Sequence, residues 1–241
     1  MMYPDSLFNI FQNGSRFLYD DPWKTSLIRT RDVGEVVITS GHIVVTCPYL
    51  HTDWPPFAQT FPTGRFPVVE SFQYLRPKSG AWLQEPDPET IPYELHQSLG
   101  AVVRFHDSEP GRWELATLPE WPDEEVRALD LQHDYYGGWL NEHGNSLCFM
   151  DAEVAHILTG RINQDEAYFM QLLDQIEEDE LNPFVVDEAS GGNLVAFGQG
   201  GQGTSPAFIG YAEDGRIVCL AVDVAFEARK LLTEGRWHPA E

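Results

Sequence analysis

The chain has 241 residues, enough for a sizeable core, and its 42% hydrophobic and 12% aromatic content is too apolar for a disordered polypeptide. Fifteen Lys and Arg against 38 Asp and Glu give a net charge of −23, which repels phosphate and excludes nucleic acid and anionic membrane as natural partners. No apolar run approaches the roughly 20 residues of a membrane-spanning helix, the N-terminus lacks a secretory-signal pattern, and Cys47, Cys148 and Cys219 are scattered, so buried free thiols in a reducing cytoplasm are expected.

In chain order, aromatic and polar residues mix over the first thirty positions, with Asp5 or Ser6 able to cap a short helix over 6–12. Residues 33–46 hold two β-rich pieces, VVIT and HIVVTC, either side of Ser40-Gly41. That pattern predicts a hairpin with Gly41 supplying a positive φ. Residues 48–67 are proline-rich around Trp54-Pro55-Pro56-Phe57 and read as a surface connection. β character resumes at 66–75, and 76–98, with prolines at 77, 86, 88 and 92, reads as a Pro-rich mobile insertion. Residues 101–105 and 112–116 read as paired strands joined by a turn at Asp107 to Gly111. Trp121-Pro122-Asp123-Glu124 has the look of a helix start, and 135–140 with 146–150 reads as a further pair of short strands.

Asp151 is a good N-cap for a helix over 152–158 ended by Gly160. Asn163 opens a longer helix, 164–181, with Phe169, Leu172, Leu173 and Ile176 on one stripe. A strand at 184–186, the stretch 193–224 and a helix near 226–233 complete the chain. Within 193–224, apolar alternation on both sides of Asp214-Gly215 predicts a β-hairpin, entered through the glycine-rich segment 198–203. Strands outnumber helices, helices cluster late and no βαβ alternation occurs. The expectation is an α+β fold with a mainly antiparallel β-sheet and a few helices in the C-terminal half, in one globular domain spanning 1–241.

Chemistry is harder to locate. The segment Gly198-Gln199-Gly200-Gly201-Gln202-Gly203 lacks the Gly-Lys-Ser/Thr ending and the following helix of a phosphate cradle, so Gly198, Gly200, Gly201 and Gly203 mark a structural bend or a ligand loop. None of the eight histidines falls in a zincin or Cys-x-x-Cys pattern, so no metal or other cofactor is expected. There is no Gly-x-Ser-x-Gly elbow, and Cys148, although close to a helix start, has apolar neighbours. Glu70, Glu114, Asp151 and Asp223 lie in or at the ends of apolar strand-like runs, where a carboxylate either caps something or belongs to a site. Acid concentrates late in the chain: Asp174, Glu177, Glu178, Asp179, Glu180, Asp187 and Glu188 surround a helix end whose dipole disfavours negative charge. A surface that accepts this repulsion suits docking to a basic protein.

Several segments together resemble a bacterial family, the domain-of-unknown-function family 4241. They are Ser40-Gly41-His42-Ile43-Val44 before Pro48, Gly64-Arg65-Phe66-Pro67-Val68, Val103-Arg104-Phe105 through Arg112-Trp113-Glu114-Leu115-Ala116, Cys148-Phe149-Met150-Asp151-Ala152-Glu153, and Gly210 through Asp214-Gly215-Arg216 to Asp223. Relatives carry a Ser-Gly-Trp-Gly-Asp-Gly-like segment followed by Tyr-Pro. This chain has Phe197 to Gly203 with Ser205-Pro206, without that Trp and Asp. The resemblance implies a bacterial protein and no particular activity.

Two functional expectations follow. The first is a cytoplasmic immunity or antitoxin-type protein, not an enzyme, whose acidic surface covers a basic toxin such as a nuclease. The second is an enzyme or small-ligand protein with Glu114, Asp151 and Asp223 around the glycine-rich segment.

Overall fold

The computed structural model describes residues 10–18, 25–48, 54–76, 95–119, 146–177, 183–198, 205–224 and 236–238. Its strands are β1 (Arg16–Leu18), β2 (Thr25–Ile38), β3 (Ile43–Thr46), β4 (Gly64–Arg76), β5 (Leu95–Arg104), β6 (Arg112–Leu115), β7 (Ser146–Asp151), β8 (Phe184–Asp187), β9 (Gly192–Gly198), β10 (Ala207–Tyr211), β11 (Ile217–Asp223) and β12 (Arg236–His238). Two helices, α1 (Ala152–Gln164) and α2 (Glu166–Glu177), lie between β7 and β8 in sequence. The expected antiparallel α+β class is correct. One sheet of eight strands runs β12-β1-β2-β4-β5-β11-β10-β6, and a second of four runs β3-β7-β9-β8.

The sheets face one another. Val36, Ile38, Val68, Ala101, Val103, Ile209, Leu220 and Val222 of the large sheet meet Ile43, Val45, Leu147, Phe149, Val195 and Phe197 of the small one in a shared core. Because strand side chains alternate, the intervening residues form separate cores on the outer faces. Ile28, Leu99, Val102, Phe208 and Ala221 pack with Ile10 and Phe11 behind the large sheet. Val44, Cys148, Met150 and Leu194 pack against Val154, Leu158 and Leu172 of the helices behind the small one. Strands covered on both faces are thus continuously apolar, and even the terminal strand β3 is buried throughout its IVVT run. Asn193 joins the layers: its Oδ1 accepts from Val37 N at 2.9 Å and its Nδ2 donates to Glu35 O at 2.7 Å.

Several local expectations change. Ser40-Gly41 does not close a hairpin. β2 pairs with β1 and β4, whereas β3 pairs with β7, so the turn carries the chain from one sheet to the other. Gly41 does adopt φ +78, and an added Cβ would lie 3.2 Å from Phe61 O. The supposed hairpin across Asp107 to Gly111 is also absent, because β11 and β10 are inserted between β5 and β6. The irregular stretch expected at 76–98 is shorter, since Leu95 and Ser98 already pair with Leu75 and Phe72. The connection at 54–63 is pinned through Phe57 N to Ile43 O and Phe61 N to Gly41 O, with both rings buried.

Asp151 caps α1 as expected, but Gly160 lies inside that helix rather than ending it. No heavy atom comes within 4 Å of a Cβ built there, so the glycine marks no close contact. Asp165 separates the helices, and its Oδ1 accepts from Ala167 N and Tyr168 N at the start of α2. The Asp214-Gly215 hairpin forms as β10 and β11. The helices expected near 6–12, 121 and 226–233, and the strand at 135–140, fall mostly or wholly outside the described residues.

Candidate functional site

Buried polar side chains lie on both faces of the large sheet where β4, β5 and β11 approach the end of β9. Glu70, Ser71, Gln73, Ser98, Ser205 and Asp223 are all buried. Register divides them: Glu70 pairs with Ala101 of the inter-sheet core, whereas Ser71 donates to Ile10 O behind the large sheet. Ser71 and Asp223 both pair with Gly100, Phe72 pairs with Ser98, and Asp223 N donates to Pro206 O at 3.0 Å. Glu70 is the centre of charge. Its Oε2 accepts from Arg31 Nε and Nη2, each at 2.9 Å, and its Oε1 accepts from Gly198 N at 2.7 Å. Ser98 Oγ donates to Gly198 O at 2.9 Å, so both backbone groups of Gly198 are clasped.

Only glycine fits that clasp without displacement. A Cβ on residue 198 would lie 3.1 Å from Glu70 Oε1 and 3.2 Å from Ser98 Cβ. Arg31 reaches Glu70 with its side chain 44% exposed and its guanidinium 5.0 Å from the centre of the Phe72 ring. A carboxylate committed to a guanidinium and a backbone amide serves as an anchor for the start of the glycine-rich segment; general-base chemistry would require giving up those donors.

The other carboxylates sit in separate surroundings. Asp151 Oδ2 accepts from Thr39 N, Ser40 N and Ser40 Oγ at 2.8 to 2.9 Å, and its Oδ1 accepts from Glu153 N at 2.8 Å. It ties α1, β7 and the sheet-crossing turn together. Glu114 is half exposed on edge strand β6, bonded to Arg112, whose guanidinium lies 4.0 Å from the Tyr211 ring centre. Asp223 is buried at the end of β11. Glu114, Asp151 and Asp223 thus lie on β6, at the end of β7 and at the end of β11. Among the described residues no three His, Cys, Asp or Glu are placed to hold a metal ion. Glu70, an acid in an apolar strand, was the better signal.

Cys47, Cys148 and Cys219 are buried and form no disulfide. Burial raises the Cys148 thiol well above its ordinary value, with Cys47 adding to the effect, and Cys148 Sγ donates to Thr46 O at 3.3 Å. Burial pushes Cys219 up to about 12. Catalysis by Cys148 is thereby disfavoured, since the thiolate is the nucleophile. A thiol reagent near pH about 8 is expected to leave all three unmodified in the folded chain and to react with all three in guanidinium. The sign for stability follows. The contribution of these raised thiols is fully present below the unfolded-chain value of about 8.5 and is lost as pH rises toward the folded values. Denaturation midpoints should fall above that pH.

Of the acidic residues expected to meet a partner, Asp174 is exposed on α2, and Glu177 ends that helix. Asp187 and Glu188 line an open groove of about 710 Å³ between α2 and β8, together with Arg161, Tyr168, Gln171 and Gln175. Hydrogen bonds from Ser190 hold the Asp187 carboxyl below its ordinary value, helped by Ala189 N and more weakly by Arg161. Glu178, Asp179, Glu180, Gly200, Gly201 and Gly203 lie outside the described residues.

These features define an antiparallel α+β protein of two facing sheets, with a half-buried ion pair holding Gly198 and a groove beside its helices. The family described as "Protein of unknown function (DUF4241)" matches residues 36–222, well over half of the chain, and the chain belongs to it. Comparison with curated proteins and with solved structures finds no match. The matched span starts within β2 and ends within β11, so it takes in the four-stranded sheet, both helices, β4, β5, β6 and β10 of the larger sheet, and Glu70 with Gly198, and it leaves out β1, β12 and Arg31. No helix among the described residues is long and apolar enough to cross a membrane.

Proposed function

We propose that this chain is a binding protein of the immunity or antitoxin type, acting in the bacterial cytoplasm to neutralise a basic toxin, such as a nuclease, through its acidic surface. One observation carries the reading. The groove edged by Asp187 and Glu188 runs beside a helix, α2, that contains no basic residue and exposes Asp174. On a chain of net charge −23, such a surface draws a cationic protein from a distance and disfavours acidic competitors. A basic nuclease binds phosphate through the same kind of cationic patch that this surface would cover.

The test is reversal of charge at the last residue of α2 and at the two residues that follow it in sequence. The triple variant Glu177→Lys, Glu178→Lys, Asp179→Lys is expected to weaken a basic partner, recovered by affinity purification from the native host, on the order of 100-fold at low salt. Calorimetry would measure it, with growth protection on co-expression as the functional readout. Unchanged affinity, or a partner that is not basic, would count against the reading.

A small-ligand site near the glycine-rich segment is the second reading. In its favour, the Ser205 hydroxyl is buried without a hydrogen-bond partner near Asp223. It ranks lower because Glu70, the acid at that corner, is committed to Arg31 and Gly198.

A further inference from the structure

We infer that the partner is held at the open edge of β8, where an extended, Lys- or Arg-bearing segment of it adds as a further strand and fills the groove beside α2. This rests on the binding-protein reading and gives it a location and a geometry.

Among the described residues, β8 is a terminal strand of the small sheet and pairs only with β9. At the opposite end of that sheet, β3 receives a hydrogen bond from Phe57 N on Ile43 O. Among the described residues no such contact covers β8. An edge strand presents a row of unpaired N–H and C=O groups, which is a template for another strand. The edge is four residues long with a register irregularity between Val185 and Asp187, yet it carries no lysine or proline and offers Val185, 50% exposed. It is one of two large hydrophobic side chains exposed among the described residues.

The groove beside the edge has unmet polar capacity. The phenol oxygen of Tyr168 is buried and has no hydrogen-bond partner, although its ring packs edge-on against Phe184 at 6.0 Å. Leaving such an oxygen unpaired is unfavourable, so an incoming donor or acceptor there gains from it. Gln171 and Gln175, one turn apart on α2, add amides that can bond to the backbone of an extended chain. A strand alongside β8 would place alternate residues toward Tyr168 and the glutamines, and the others beside Val185 and Asp187. Charge selects the segment. Arg161 is stacked over Tyr168 at 5.6 Å and faces Asp187, which leaves exposed Glu188 and the field of a −23 chain to favour a cation. A second copy of the chain would bring like charge to the same edge.

The probe is a displayed library of random linear ten-residue peptides, selected on the full-length chain, with winners remade synthetically. Winners should alternate apolar and basic residues, and on binding they should slow amide exchange at 184–187. Val185→Lys is expected to weaken them by about tenfold or more without shifting the denaturation midpoint, and Tyr168→Phe by a few-fold while raising that midpoint, since it removes the unpaired buried oxygen. Failure to enrich basic extended sequences, protection elsewhere, or equal binding to Val185→Lys would overturn the inference. So would a homodimer in sedimentation equilibrium that Val185→Lys dissociates. If a basic native partner is weakened by the α2 charge reversals but binds Val185→Lys normally, the edge assignment falls and the binding reading stands. If no basic partner binds at all, the reading itself falls.

Discussion

Asp151→Ala is expected to lower the stability of the folded chain by about 3 kcal/mol, since it removes a helix cap and strands further donors. The carboxylate is completely buried and accepts four hydrogen bonds, from Thr39 N, Ser40 N, Ser40 Oγ and Glu153 N. The cap alone is worth about 1 kcal/mol. The rest comes from the turn that carries the chain between sheets, where two backbone N–H groups would lose their acceptor. Asp151→Ser separates the two contributions, because a serine hydroxyl can still cap Glu153 N but cannot also serve residues 39 and 40. The serine variant should recover roughly the cap share, about 1 kcal/mol, relative to alanine. Urea denaturation with an unchanged slope would measure both. Alanine and serine variants of equal stability would show that the cap contributes nothing.

Local features of this fold were legible where chemistry and structure share a few neighbouring residues. Asp151 announces its helix because capping involves only the next two or three residues. Asp214-Gly215 announces its hairpin because the turn joins adjacent strands, and Gly215 takes φ +85 there. Face assignment within that hairpin was not legible. Cys219 and Ala221 share the outer core with Phe208, whereas Ile209 joins the inter-sheet core, because both faces are buried and a register shift intervenes at Gly210. Strand order was lost for a different reason. β5 and β6 are neighbours in sequence, but the hairpin that separates them comes about a hundred residues later. The candidate site suffers likewise: Glu70 meets Arg31 and Gly198 across sequence separations of 39 and 128. An acid inside FPVVESFQYL signals that something compensates it; nothing local says what.

Glu70→Ala is expected to cost about 3 kcal/mol, near the lower end of what removing one partner of a buried ion pair does. The discount has a physical source. Arg31 is 44% exposed and can turn its guanidinium to water, whereas Gly198 N, clasped in a partly buried corner, loses its acceptor with less recourse. Glu70→Gln tests this division. The amide oxygen can still accept from Gly198 N while the charge opposite Arg31 is gone, so the loss should fall to about 1–2 kcal/mol. Amide exchange at Gly198 is the sharper readout. It should accelerate strongly in the alanine variant and little in the glutamine one if the carboxylate oxygen holds the entrance of the glycine-rich segment. Arg31→Met completes the cycle by leaving a buried carboxylate with its guanidinium removed, and it should destabilise more than Glu70→Gln does. If Glu70→Ala leaves both the midpoint and the Gly198 exchange rate unchanged, the corner is not an anchor. The ligand reading would then regain weight, because a buried glutamate that the fold does not need requires another reason to be there.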